Sequence, residues 1–165
     1  MQDPVIREIM PRLLIGLSIK TTLEANETAI LWRKFMPRRK EIHNLLDSSL
    51  YSIQEYDIQC DWSAFTPQTS FTKWAAIEVT SQQEIPTGME SLTIQGLYAV
   101  FVHKGTADEF HRTLDYIFNS WMPSSGYQFD HRPQFEIMKD DYLGPSHPDS
   151  REEVWIPILP ILSVD

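Results

Sequence analysis

The chain has 165 residues, 42% of them hydrophobic, and a formal net charge of −9. That length suits a single domain over 1–165 with a substantial core, since a chain near 150 residues buries roughly 70% of its unfolded surface. The acidic balance speaks against a sequence-independent grip on phosphates, and the lone cysteine, Cys60, excludes an internal disulfide. A reducing, cytoplasmic setting is expected, with no membrane span or secretion leader, because no run of 18 apolar residues occurs.

The first elements follow from apolar patterning. Arg12 to Thr21 is rich in Leu and Ile and predicts a strand, followed by a helix from about Glu24 or Asn26 to Met36. Pro37 ends that helix or opens a further helical turn through Ile42. The basic residues Arg33, Lys34, Arg38, Arg39 and Lys40 read as a solvated helix face. Leu50 to Tyr56 and Thr72 to Val79 predict two strands on either side of a turn-rich segment around Pro67.

The same order then recurs. Ser91 to His103 predicts a long strand with Gly96 inside it, the mark of a bulge or a close approach. Thr106-Ala107-Asp108-Glu109 is a capping box, in which hydroxyl and carboxylate each satisfy a free backbone N–H. Phe110, Leu114, Ile117, Phe118 and Trp121 form one apolar stripe at helical spacing, and Pro123 with Ser124-Ser125-Gly126 stops the helix. Strands are expected over Gln134 to Lys139 and Glu153 to Leu159.

The halves also match residue by residue at an offset of about 84, which gives pseudo-repeats over about 5–82 and 89–160. Phe35-Met36-Pro37 aligns with Trp121-Met122-Pro123, and Lys73-Trp74-Ala75-Ala76-Ile77 with Val154-Trp155-Ile156-Pro157-Ile158. The fold class is therefore α+β, a pseudo-twofold duplication of a strand-helix-strand-strand unit. A pseudo-symmetric pair leaves a cleft on its axis.

Acidic and aromatic residues in the last strands are the candidates for that cleft. Strand alternation places Glu136 opposite in direction to Phe135 and Ile137, on one face with Gln134 and Met138. If that face lines the cleft, a buried carboxylate is retained only with a partner, and a cationic ligand could be that partner. In the final strand Val154, Ile156 and Ile158 form a core face, which turns Glu153 and Trp155 the other way. Trp74 holds the matching place in the first repeat, and aromatic faces attract cations by about 0.5 to 2 kcal/mol each.

Leu31-Trp32 with Phe35 and Pro37, Leu97-Tyr98-Ala99-Val100-Phe101 before Lys104-Gly105-Thr106, Trp121-Met122-Pro123-Ser124-Ser125-Gly126-Tyr127, Phe135-Glu136, and Glu153-Val154-Trp155-Ile156-Pro157-Ile158 resemble the gyrase-inhibitor-like family. That family includes the effector-binding domains of AraC-type and multidrug-sensing bacterial transcription regulators. The likeness runs from about Ile6 to Ile158. It implies a concave antiparallel sheet with helices on one face, and a small-molecule site whose glutamate is Glu136. Met138, Glu153 and Trp155 follow by position, with Trp74, Tyr51, Tyr98 and Trp121 as further walls. The fold begins within the first few residues, so the chain reads as a stand-alone member without a DNA-binding helix-turn-helix.

Three function classes result. The first is binding of a small amphipathic molecule, cationic or aromatic, as a sensor or scavenger with no direct nucleic-acid contact. The second is a hydrolase of small reactive electrophiles, with Glu136 as base or nucleophile beside Tyr51, Tyr98 or Tyr127. The third is a gyrase-inhibitor-type modulator that binds a protein partner. No cofactor is called for, and His43, His103, His111, His131 and His147 form no metal-ligand spacing with one another or with Cys60.

Overall fold

The computed structural model describes residues 2–162. Its elements are β1 (Val5–Thr21), α1 (Thr28–Phe35), β2 (Leu45–Glu55), β3 (Phe71–Val79), β4 (Glu90–Lys104), α2 (Phe110–Asp115), β5 (Tyr127–Phe129), β6 (Gln134–Met138) and β7 (Arg151–Pro160). All pairings are antiparallel, in the order β4-β1-β3-β2-β6-β7-β5, and β4 pairs with β7 as well. Six strands thus close into a ring, with short β5 attached outside it. The two repeats meet at two seams, β2 against β6 and β1 against β4.

Side-chain alternation divides this ring into two faces. The inner cluster draws Ile9 and Leu14, Tyr51 and Ile53, Trp74, Tyr98, Phe135 and Trp155 from all six ring strands. On the outer face Leu31 and Phe35 of α1 pack on Ile15, Ala75 and Ile77. The second helix mirrors this, with Ile117 packed against Ala99, Phe101, Val154 and Ile156. Both helices therefore lie on the same face of the sheet, one per repeat, and β2 and β6 run between them.

Local chemistry accounts for the boundaries. The capping box forms as read: Glu109 accepts from the Thr106 backbone N–H at 3.1 Å. The helix continues past Asp115 as a π-helical stretch, Tyr116–Trp121, before Met122–Ser124 tightens into a final turn with Pro123 inside. Pro37 likewise opens a short helical turn, Met36–Glu41, rather than ending the helix. Gly96 has φ +103°, and a Cβ there would lie 2.6 Å from Arg132 Nη1. That guanidinium donates to the carbonyls of Gln95, Leu97 and Ile158, so the glycine permits a strut that ties β4 to β7.

The largest departures from the sequence reading lie in β1, β2 and β5; α1 also starts later, at Thr28, and β7 earlier, at Arg151. β1 starts at Val5 rather than Arg12, because Val5 to Ile9 pair with Gly96 to Val100 before the register shifts across Met10 and Pro11. β2 starts at Leu45, with a shift between Leu45 and Leu50. β5 was not anticipated: its three residues have too few positions for an alternation signal.

Candidate ligand-binding site

The functional candidates are best located by cross-strand register. One row on the helix-bearing face runs Ala75, Ser52, Glu136, Val154, Phe101, crossing β3, β2, β6, β7 and β4. Ala75 lies under α1, and Val154 with Phe101 under α2. The middle of the row falls between the helices, where the sequence supplies Ser52 and Glu136. The next row places Lys73, Gln54 and Gln134 side by side. A seam uncovered by either helix is thus lined by polar side chains, yet Glu136 and Lys73 are each only 5% exposed.

These groups are incompletely paired. Gln54 Nε2 donates to Glu136 Oε1 at 3.1 Å, while Glu136 Oε2 and Gln54 Oε1 are buried without a hydrogen-bond partner. Lys73 forms no ion pair within 4.0 Å among the described residues. Burial raises the Glu136 carboxyl above its ordinary range, against the opposing pull of Lys73 and the Gln54 hydrogen bond. Burial likewise lowers the Lys73 ammonium, although Glu136 and Glu152 favour its charge. Glu152 on β7 is pushed up to about 7, first by burial and then by Glu136.

An aromatic cap adjoins the polar cluster. Tyr56 follows Gln54 by two residues at the end of β2, and its hydroxyl titrates high through burial and the nearby charge of Glu136. Its ring lies 4.7 Å from Trp62, 5.8 Å from Phe65 and 5.6 Å from Phe71. Trp62 reaches across to the second repeat, 4.9 Å from Phe129, and His131 Nε2 donates to the Cys60 carbonyl at 3.2 Å. Trp62 Nε1 is itself buried without a partner. The loop between β2 and β3 therefore bridges the repeats beside Glu136.

The candidates from sequence divide between two faces. Glu136 and Met138 lie on the helix-bearing face, but Trp74, Trp155, Tyr51, Tyr98 and Glu153 lie on the other, so one cleft does not gather them. The cause is register: Phe135, not Glu136, stands opposite Trp155, and the two rings stack at 5.3 Å. The inner aromatics already have cations, with Arg12 and Arg7 at 4.8 and 5.1 Å from the Trp155 ring and Arg132 at 4.9 Å from that of Tyr98. Tyr51 Oη donates to Glu78 at 2.9 Å and accepts from Arg12 at 3.0 Å. Tyr98 Oη donates to the Pro133 carbonyl at 2.8 Å, and Glu153 pairs with Lys139 at 3.1 Å. Trp121 packs beneath the end of the second helix, on Phe101 and stacked with Tyr127. Tyr51 and Tyr98 are thus separated by the sheet from Glu136, and Tyr127 stacks with Trp121 instead.

Gln54, Tyr56, Trp62, Phe65, Phe71, Lys73, Phe129 and Glu152 were not picked out from sequence. Lys73 did carry a signal, as a lone charge within Phe71-Thr72-Lys73-Trp74-Ala75-Ala76-Ile77. The loop aromatics carried none, because their meeting is made by tertiary folding. Among the described residues no group of three or more His, Cys, Asp and Glu gathers as a metal site, and no helix is long and apolar enough to cross a membrane. A surface cavity of about 680 Å³ between Lys40 to Asn44 and Gln83 to Pro86 lies apart from Glu136.

The fold is thus a duplicated α+β ring with a buried, half-satisfied carboxylate, Glu136, at one seam. The chain belongs to the family of GyrI-like small molecule binding domains, whose model matches residues 2–159. It is 27% identical over 146 residues to the transcriptional regulator BrlR of Pseudomonas aeruginosa, with 88% of this chain matching 51% of that protein. It therefore spans about half the length of that curated relative. Among solved structures it superposes on SAV2435 bound to tetraphenylphosphonium with a TM-score of 0.71, 12% identity, and coverage of 96% and 94% of the two chains. It matches the C-terminal domain of EcmrR with a TM-score of 0.68, 13% identity and coverage of 94% and 96%.

Proposed function

We propose that the chain captures a small aromatic molecule bearing positive charge at the β2–β6 seam, with Glu136 as counter-charge. Tyr56, Trp62, Phe65, Phe71 and Phe129 are its apolar walls, and Met138 extends the Glu136 row. Trp74, Trp155, Tyr51 and Tyr98 act from behind, as the packed layer that holds the seam in register, and Glu153 and Trp121 brace its flanks. The observation that carries this reading is Glu136 Oε2, a buried carboxylate oxygen without a partner, beside aromatic side chains. Such a group is costly unless something pairs with it, and a hydrophobic cation pairs with both carboxylate and rings. The binding of tetraphenylphosphonium by a structural neighbour is consistent with that chemistry.

Entry requires the loop between β2 and β3, which bridges the repeats beside Glu136, to lift. The chain then acts as a cytoplasmic sensor or scavenger module that makes no direct contact with nucleic acid. Titration with tetraphenylphosphonium, followed by tryptophan emission, tests the reading. Quenching is expected in the wild type, and Glu136→Gln weakens binding at least several-fold, because truncating one partner of a buried charge pair costs about 2 to 5 kcal/mol. Equal curves for the two proteins overturn the role of Glu136.

A further inference from the structure

Lys73 is the side chain that the reading above leaves without a task. Its place in the repeat shows that the fold does not require it: the residue before Trp74 is Lys73, and the residue before the matching Trp155 is Val154, which is fully buried. An apolar side chain fills the equivalent sheet position well. A lysine there carries a desolvation cost that packing does not offset. Together with Glu136 it gives the seam both signs of charge, and the orphaned atoms repeat that duality. Trp62 Nε1 is a donor without a partner and Glu136 Oε2 and Gln54 Oε1 are acceptors without one, while Lys73, a donor only, makes no ion pair among the described residues.

We infer that the ligand of this site is amphoteric: an aromatic molecule with a protonated nitrogen for Glu136 and Gln54, and a carboxylate or similar anionic acceptor for Lys73 and Trp62. The inference rests on the binding reading above and narrows it. A simple hydrophobic cation satisfies only Glu136, and it adds a second positive charge beside the Lys73 ammonium. An amphoteric ligand satisfies all four atoms and leaves the net charge of the seam unchanged.

Rhodamine 110, which carries a carboxylate and a cationic xanthylium, and rhodamine 123, its methyl ester, differ in that one charge. Fluorescence anisotropy at pH 7.5 with the intact chain is expected to show rhodamine 110 binding at least 10-fold more tightly. In Lys73→Met the preference is lost or reversed, with the native melting transition retained. The wild-type comparison stands alone should that variant fold poorly. Equal or tighter binding of rhodamine 123 by the wild type overturns the inference and leaves the binding reading in place. Failure of both dyes, with tetraphenylphosphonium still bound, also overturns it. Failure of both dyes and of tetraphenylphosphonium overturns the binding reading as well.

Discussion

Glu136 on β6 stands directly across the ladder from Val154 on β7, so the carboxylate shares the face that carries Ile156 and Ile158, and turns away from its neighbour Phe135. This one register separates a polar seam from an aromatic interior. The Phe135–Trp155 stack on the inner side is complete in itself, whereas the Glu136 side is not.

The inner aromatics should therefore answer to stability rather than affinity. Trp155→Ala removes a fully buried ring stacked on Phe135 and covered by Arg7 and Arg12. Core truncations of this size cost about 3–5 kcal/mol. Urea unfolding should show that loss, while the refolded fraction binds tetraphenylphosphonium with an affinity within a few-fold of the wild type. A large loss of affinity at unchanged stability would return Trp155 to the ligand wall.

The cap should answer the other way. Trp62 is a half-buried loop residue whose ring touches Tyr56, Phe65, Phe129 and His131. Trp62→Ala should lower the melting temperature only slightly, yet weaken capture of an aromatic cation about tenfold and speed its release in stopped-flow measurements, because affinity changes fall mainly on dissociation. An unchanged off-rate removes the loop from the site.

The acidic pair predicts a pH dependence of stability. The folded Glu152 carboxyl lies at about 7 against an ordinary value of 4.5, so folding favours its protonated form. Its contribution is fully present below about 4.5 and is lost as pH rises through about 7. The groups around it are Glu136, Lys73 and Tyr142, with His103 as its cross-strand neighbour. Wild type minus Glu152→Gln should lose stability over that window, by at most ~3 kcal/mol. A flat difference from pH 4.5 to 8 in paired urea melts would exclude it.

Hydrolysis makes a separable prediction. Tyr51 and Tyr98 are engaged on the inner face, which leaves Glu136 without the tyrosine partners that base catalysis was expected to use. Incubation with esters or epoxides at neutral pH should give no product above a Glu136→Gln control. A general-base role contributes about 10²- to 10⁴-fold in rate, so turnover lost on Glu136→Gln would be unmistakable.

At a net charge of −9, the 165-residue chain should not retard duplex DNA in a gel at physiological salt. Retardation at micromolar protein would assign the Arg33 to Lys40 cluster to phosphate contacts.

Much of this protein is local and could be read from the sequence. Repeat order, the capping box at Thr106, the helical stripe from Phe110 to Trp121 and the direction of Glu136 relative to Phe135 all depend on neighbours a few residues apart, where periodicity is set by backbone geometry. The split between Glu136 and Trp155 was not local. It depends on which residue of β6 meets which residue of β7, and a slip of one position would have exchanged the faces. Closure of the ring through β4 and β7, and the meeting of Trp62 with Phe129 across 67 positions of chain, are likewise tertiary events. Composition supplied a carboxylate and aromatic rings; only the fold determined which rings the carboxylate would meet, because contacts between distant segments are selected by packing the whole ring at once.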